Sequence, residues 1–249
     1  MKNIKVRTKL TIIVALVLVL VASESFISIQ NMNQLKNKAL DTMDTSSRQN
    51  YDDSIKEQVG VVISLLSEIN NEYKAGRYSL DEAKKIAADE IRQMRYGNGG
   101  YFWVDQSDGK NIVLLGSSTE GTNRMNTKDA DGYQMVKEII RVAVQDGGGY
   151  TDYVFPKEGE TEPSPKRSYS EYFKPFDWVV GTGNYTDYID TAIAQQDEEF
   201  TSYASSKAIS LILCSVCMLI VVAILVALIA IDITKSLRKI KEQFEVIAG

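Results

Sequence analysis

Arg92, Arg95 and Tyr96 lie close together in the chain, Tyr101 and Trp103 follow two residues apart, and Lys166 and Tyr169 stand near the start of a later apolar stretch. A small carboxylate would suit such a set. Arginine offers a planar fork of donors, lysine a point charge, tyrosine a hydroxyl on a rigid ring, and tryptophan an apolar wall that limits chain length. The same types also suit a plainer role, with strand aromatics filling a core and helix-end arginines solvated or paired with the helix dipole. The candidate ligand-binding residues are Arg95, Tyr96, Tyr101, Trp103, Lys166 and Tyr169, with Arg95 as the expected fork.

Other chemistries are poorly supplied. The 249 residues contain no His, which removes the usual Ser/His and Cys/His nucleophile pairs and His-bearing zinc sites and leaves only carboxylate or Lys chemistry. Both cysteines, Cys214 and Cys217, lie inside one long apolar run, so their spacing reads as two small hydrophobes in a helix. Gly181-Thr-Gly183 has a strand before it and a helix after it, but the third glycine position is Thr186 and no βαβ unit can follow. Asp129, Asp131, Gly132 and Glu138 match part of a calcium loop, yet its first position is Thr127, and a helix N-cap with acidic neighbours explains them better. Gly109-Lys110 lacks the rest of a phosphate loop. No catalytic residue, metal site or cofactor is expected, and the net charge of -5 argues against a nucleic-acid partner.

The elements that position these residues are legible from periodicity. Ile55, Val59, Val62, Leu66, Ile69 and Tyr73 form one helical stripe. Ser79 with Glu82 opens a second helix by a capping box, with Ala83, Ile86, Ala87, Ile91 and Met94 inward, expected to run to Tyr96 before Gly97 stops it. The period then changes to strand: 101–105 and 111–115 flank a turn at Asp108-Gly109. A third helix is expected over 131–146, with Val136, Ile139, Ile140, Ala143 and Val144 inward and Gly147 to Gly149 closing it. Strands follow at 150–155, 167–173 and 178–184, and a last helix starts near Thr186. This order predicts an α+β domain around an antiparallel sheet.

Hydropathy sets the domain plan. Residues 208–231 carry no charge and make about 36 Å of helix, enough for a hydrocarbon core of roughly 30 Å with some tilt. Residues 10–29 form a weaker span whose basic start also suits a cleaved signal peptide, but no strong cleavage site follows, and an uncleaved anchor is favoured. Lys2, Lys5, Arg7 and Lys9 flank one span and Lys235, Arg238, Lys239 and Lys241 the other, so both termini are expected in the cytoplasm of a multi-pass cell-membrane protein. The plan is 1–9 cytoplasmic, 10–29 transmembrane, 30–207 extracytoplasmic, 208–231 transmembrane and 232–249 cytoplasmic.

Three segments carry a resemblance. Arg95-Tyr-Gly-Asn-Gly-Gly-Tyr-Phe-Trp-Val104, Pro165-Lys-Arg-Ser-Tyr169 and Phe176-Asp-Trp-Val-Val-Gly-Thr-Gly-Asn-Tyr185 resemble the single Cache sensor domain of methyl-accepting chemotaxis proteins, over roughly 33–200. Ile233, Leu237, Ile240, Phe244 and Ile247 resemble the first helix of a HAMP linker. The resemblance implies a long N-terminal helix and a PAS-like antiparallel sheet outside the membrane, and a homodimeric receptor for a small ligand such as an organic acid. It also implies a cytoplasmic kinase and adaptor reached through HAMP, and it makes the six candidates a pocket. The alternative outputs are a histidine kinase or a cyclic-dinucleotide enzyme; a membrane-anchored extracellular enzyme is a further, weaker reading. Many relatives carry His-Pro where this chain has Leu115-Gly116, implying an apolar pocket wall there, and the usual HAMP proline is Ser236, which leaves that helix unbroken.

Overall fold

A computed structural model describes residues 6–97, 99–157 and 159–248. Residues 1–5, which hold Lys2 and Lys5, and Asn98, Glu158 and Gly249 lie outside the described residues, as do the side chains of Arg7, Leu237, Lys241, Phe244 and Ile247. The elements are α1 (Val6–Lys74), α2 (Leu80–Gln93), β1 (Arg95–Tyr96), β2 (Gly100–Gln106), β3 (Asn111–Leu114), α3 (Met135–Asp146), β4 (Gly148–Pro156), β5 (Pro163–Phe173), β6 (Trp178–Tyr185) and α4 (Asp187–Ala248). Two compact units result, one of residues 42–193 and one of residues 1–41 with 194–249. Within α1 and α4 lie two stretches long and apolar enough to cross a membrane, both exposed along their length.

The unit 42–193 is built on an antiparallel sheet of order β1-β2-β6-β5-β4, with β3 also paired to β2. Both faces are covered. On one, the α1 stripe Ile55, Val59, Val62, Leu66 and Ile69 and the α2 residues Ala83, Ala87 and Ile91 pack with Phe102, Val104, Trp178 and Val180. On the other, Met135, Val136, Ile139, Ile140 and Ala143 of α3 pack with Trp103 and Val179. Successive strand residues alternate between these cores, as the pleat requires. Of the expected inward set of α3, Val144 is exposed, and Val142 is buried instead.

Two expected boundaries move. The capping box between Ser79 and Glu82 forms, but α2 ends at Gln93 rather than Tyr96. Arg95 and Tyr96 pair with Tyr101 and Gly100 instead, so one points out and the other in. Further on, α3 begins at Met135 rather than 131, and its N-cap Gln134 makes no side-chain cap bond. Asp129 serves the preceding turn: its Oδ1 accepts from the amides of Asp131 and Tyr133 and its Oδ2 from that of Val154.

Helix α1 meets the sheet through one polar knot. The Tyr51 hydroxyl accepts from the Asn184 amide at 2.5 Å and aims its single proton at the carbonyls of Arg167 (2.7 Å) and Asn184 (2.8 Å), so it sits inside the β5–β6 ladder. Asp52 takes both Nε and Nη2 of Arg167, at 2.6 and 2.8 Å. A bidentate pair of this kind fixes orientation as well as distance.

Gly181 and Gly183 make room for neighbours. A Cβ on Gly181 would lie 2.5 Å from the Trp103 indole, and one on Gly183 2.5 Å from the Arg167 carbonyl. We expect Gly181→Ala to push the indole off β6 and to cost about 1–3 kcal/mol, the usual range for overpacking. A urea titration followed by circular dichroism checks this; an unchanged midpoint would contradict the close packing.

Candidate functional site

Because β2 alternates, Tyr101, Trp103 and Asp105 share the α3 face, and because β5 does too, so do Lys166, Ser168 and Ser170. The register Trp103↔Gly181↔Ser170 puts β6 between them with no side chain in the way. Across that gap Lys166 reaches Tyr101, its Nζ donating to the hydroxyl at 2.9 Å. The ammonium also lies over four rings, with centroids at 4.7 Å for Tyr101, 5.0 Å for Tyr185, 5.4 Å for Phe155 and 5.8 Å for Trp103. Ring faces offset part of the lost hydration of a cation.

A small cavity, about 20 Å³, opens beside this group. That is room for roughly one water-sized centre. Its polar wall is Tyr101, Trp103, Lys166 and Arg124; Tyr153 and Phe155 of β4, Leu114 of β3, and Met135, Val136 and Ile139 of α3 complete it. Arg124 arrives from the loop between β3 and α3. Its guanidinium holds Asp105 in a bidentate pair at 2.7 Å for each bond, with the carboxylate fully buried and also taking Asn111 Nδ2 at 2.9 Å.

Charge in this wall does not balance. Arg124 is neutralised by Asp105, whereas Lys166, 2% exposed, makes no ion pair with any carboxylate among the described residues. A second donor, the buried indole Nε1 of Trp103, has no acceptor among the described residues. The site therefore presents one positive charge in excess and convergent donors, which together suit one small anion. Burial, reinforced by the nearby Arg124, pulls the Lys166 ammonium down to about 7, and burial pushes the Tyr153 phenol up.

Of the six sequence candidates, the structure brings Tyr101, Trp103 and Lys166 to one cavity and leaves the other three elsewhere. Arg95 is exposed on β1, and its Nη1 donates to the carbonyls of Arg92 and Met94. Tyr96 lies on the α1 side, its hydroxyl 2.7 Å from Thr182 Oγ1. Tyr169 is three positions from Lys166 on a strand and so faces the opposite core, where it packs on Tyr150. The wall expected at Leu115 is formed by Leu114; Leu115 itself turns the chain at a φ of 57°. Sequence reasoning missed Arg124, Tyr153 and Phe155. Alternation in β4 could have found the two aromatics, but no period marks Arg124.

Comparison with known proteins follows the same lines. The family model described as single Cache domain 2 matches residues 47–199. A sensor histidine kinase, MctS of Rhizobium johnstonii, is 34% identical over 177 residues, 70% of this chain and 37% of that protein. A methyl-accepting chemotaxis protein, McpP of Pseudomonas putida, is 32% identical over 123 residues, 49% of this chain and 23% of that protein. The chain thus spans well under half the length of these relatives. A solved Cache chemosensory domain, reported for its carboxylic acid recognition, is 27% identical with a TM-score of 0.54, covering 57% of this chain and 97% of that one.

The depressed Lys166 value has a consequence for stability. The folded protein releases this proton near 7, while the unfolded chain keeps it to about 10.4. The unfolded state then binds more protons between those values, and stability rises with pH. We expect the urea midpoint of the unliganded protein to climb from pH 7 to 9, and Lys166→Met to flatten the climb; a flat parent profile would contradict the buried, unpaired ammonium.

Proposed function

The chain belongs to the single Cache domain 2 family, and from that premise we propose that this sensor domain binds a small monocarboxylate at the Lys166 cavity and reports it across a membrane. The observation that carries the ligand class is the excess positive charge: one buried ammonium without a carboxylate, beside an arginine that already has one. A single carboxylate restores neutrality, accepting from Lys166 Nζ and Trp103 Nε1. The apolar side of the cavity, Leu114, Val136 and Ile139, takes the short tail. Carboxylic acid recognition by a Cache domain of similar fold supports the same class.

In this reading residues 30–207 face the outside, 10–29 and 208–231 cross the membrane, and both termini are cytoplasmic, in keeping with the two apolar stretches and their basic flanks. The protein acts as a homodimer, and 232–249 begin a HAMP linker toward a cytoplasmic kinase and adaptor. Unbroken helix from Asp187 to Ala248 supports mechanical coupling along that path. The likeness to a sensor histidine kinase over 70% of this chain favours one second reading, in which the same sensor drives a kinase in its own polypeptide.

Calorimetric titration of the purified chain with acetate, propionate and pyruvate tests the ligand class. Lys166→Met should weaken binding at least about tenfold, the lower end for a lost hydrogen bond to a charged group. Arg95→Ala should leave it within about twofold, because that guanidinium is bound to backbone outside the cavity. Affinity should fall as pH rises through about 7, as the lysine loses its proton. Equal affinity in Lys166→Met and the parent would sink the assignment.

A further inference from the structure

The cavity at Lys166 is small, yet a much larger space lies close by. A groove of about 870 Å³ runs along the same domain, between α1, the β1–β2 turn and the end of β6. Its walls include the rings of Tyr51, Tyr96 and Tyr188, with Asn184 and the Lys157–Asp187 ion pair at its rim. Among the described residues, only Tyr101 lines both spaces.

The ends of two strands create this arrangement. Residue pairing between β2 and β6 stops at Phe102↔Thr182, so Tyr101 and Gly183 stand where the two strands part. Gly183 offers no side chain to close the gap, and its Cβ position is denied by the Arg167 carbonyl and Ser168. Tyr101 stands there, lining both the cavity and the groove, with its hydroxyl on Lys166 Nζ. Tyr185 also approaches the ammonium from the groove side, but its hydroxyl is tied to the Pro156 carbonyl.

We propose that Tyr101 is the residue that sets ligand chain length: its ring is a partition which confines an acid held at Lys166 to the small cavity, and without it the acid's tail extends into the tyrosine-lined groove. The proposal rests on the carboxylate reading above. A short acid then enters behind the ring with small shifts of Leu114, Val136 and Ile139 that widen the cavity, whereas a longer one must displace the ring and forfeit the Tyr101 hydrogen bond to the lysine. The groove's mixture of ring surface and hydroxyls suits a flexible aliphatic tail rather than a second charge.

The test uses the whole chain in detergent, titrated calorimetrically with acetate and with hexanoate. The parent should bind acetate at least tenfold more tightly than hexanoate. Tyr101→Leu and Tyr101→Ala should shift that ratio toward hexanoate by tenfold or more. Tyr101→Phe, which keeps the ring and loses the hydroxyl, should weaken both acids and leave the ratio as in the parent. If the leucine and alanine variants keep the parental ratio or bind neither acid, or if the phenylalanine variant shifts the ratio as much, Tyr101 is not the partition. A parent that binds neither acid overturns the carboxylate reading and this proposal with it, whereas an acetate-selective parent with unaltered selectivity in the variants overturns the partition alone.

Discussion

A sheet covered by helices on both faces must divide every strand between two cores, and side chains three apart can never meet. In β5 this constraint separates neighbours completely: Lys166 enters the α3 core while Arg167 turns its guanidinium to α1. In β2 it sends Phe102 and Val104 to the α1 core and Trp103 to the α3 core. The α1 side is filled almost wholly by aliphatic and aromatic residues, while the α3 side accepts a buried ammonium, a buried carboxylate and an indole donor. One layer of backbone thus separates a largely apolar core from one that holds buried charge.

Burying Lys166 without a counter-ion is costly for the fold, and the surroundings limit that cost without removing it. Four ring faces and one hydroxyl contact the ammonium, and Asp105, a buried carboxylate on the same face of the sheet, is committed to Arg124. A carboxylate placed against the lysine instead would have satisfied it and left no demand for an anion from outside. The bidentate geometry of Arg124 and Asp105, supported by Asn111, prevents that exchange. On the other face the Tyr51 and Asp52 contacts hold β5 against α1 one residue away from the lysine, so the strand that carries the buried ammonium is also tied to the long helix.

Much of this was legible in the sequence. The stripe from Ile55 to Ile69, the capping box at Ser79 and Glu82, and the inward set of α3 apart from Val144 follow from the spacing that a helix imposes. Tyr101, Trp103 and Lys166 came together because strand aromatics near a lysine were weighed as a group. Tyr169 was separable by counting alone, since an odd spacing on a strand reverses the face. Arg95 and Tyr96 depend on a boundary: a helix running to Tyr96 gives them no alternation, whereas a two-residue strand sends one out and the other in. Arg124 had no local signal, because its partner Asp105 lies 19 residues earlier and its loop has no period.

The division of the two tryptophans between the cores has a spectroscopic consequence. Trp178 lies in the α1 core against Phe176, and Trp103 lies in the α3 core, packed over Gly181 and among the residues that line the cavity. The chain holds no other indole. Excited at the red edge, where tyrosine does not absorb, its ultraviolet emission is therefore the sum of two single-residue probes, one on each side of the sheet. Replacing either with phenylalanine would isolate the other, so that loosening of the helix-packed side and changes at the recognition side can be followed as separate optical signals without an attached dye.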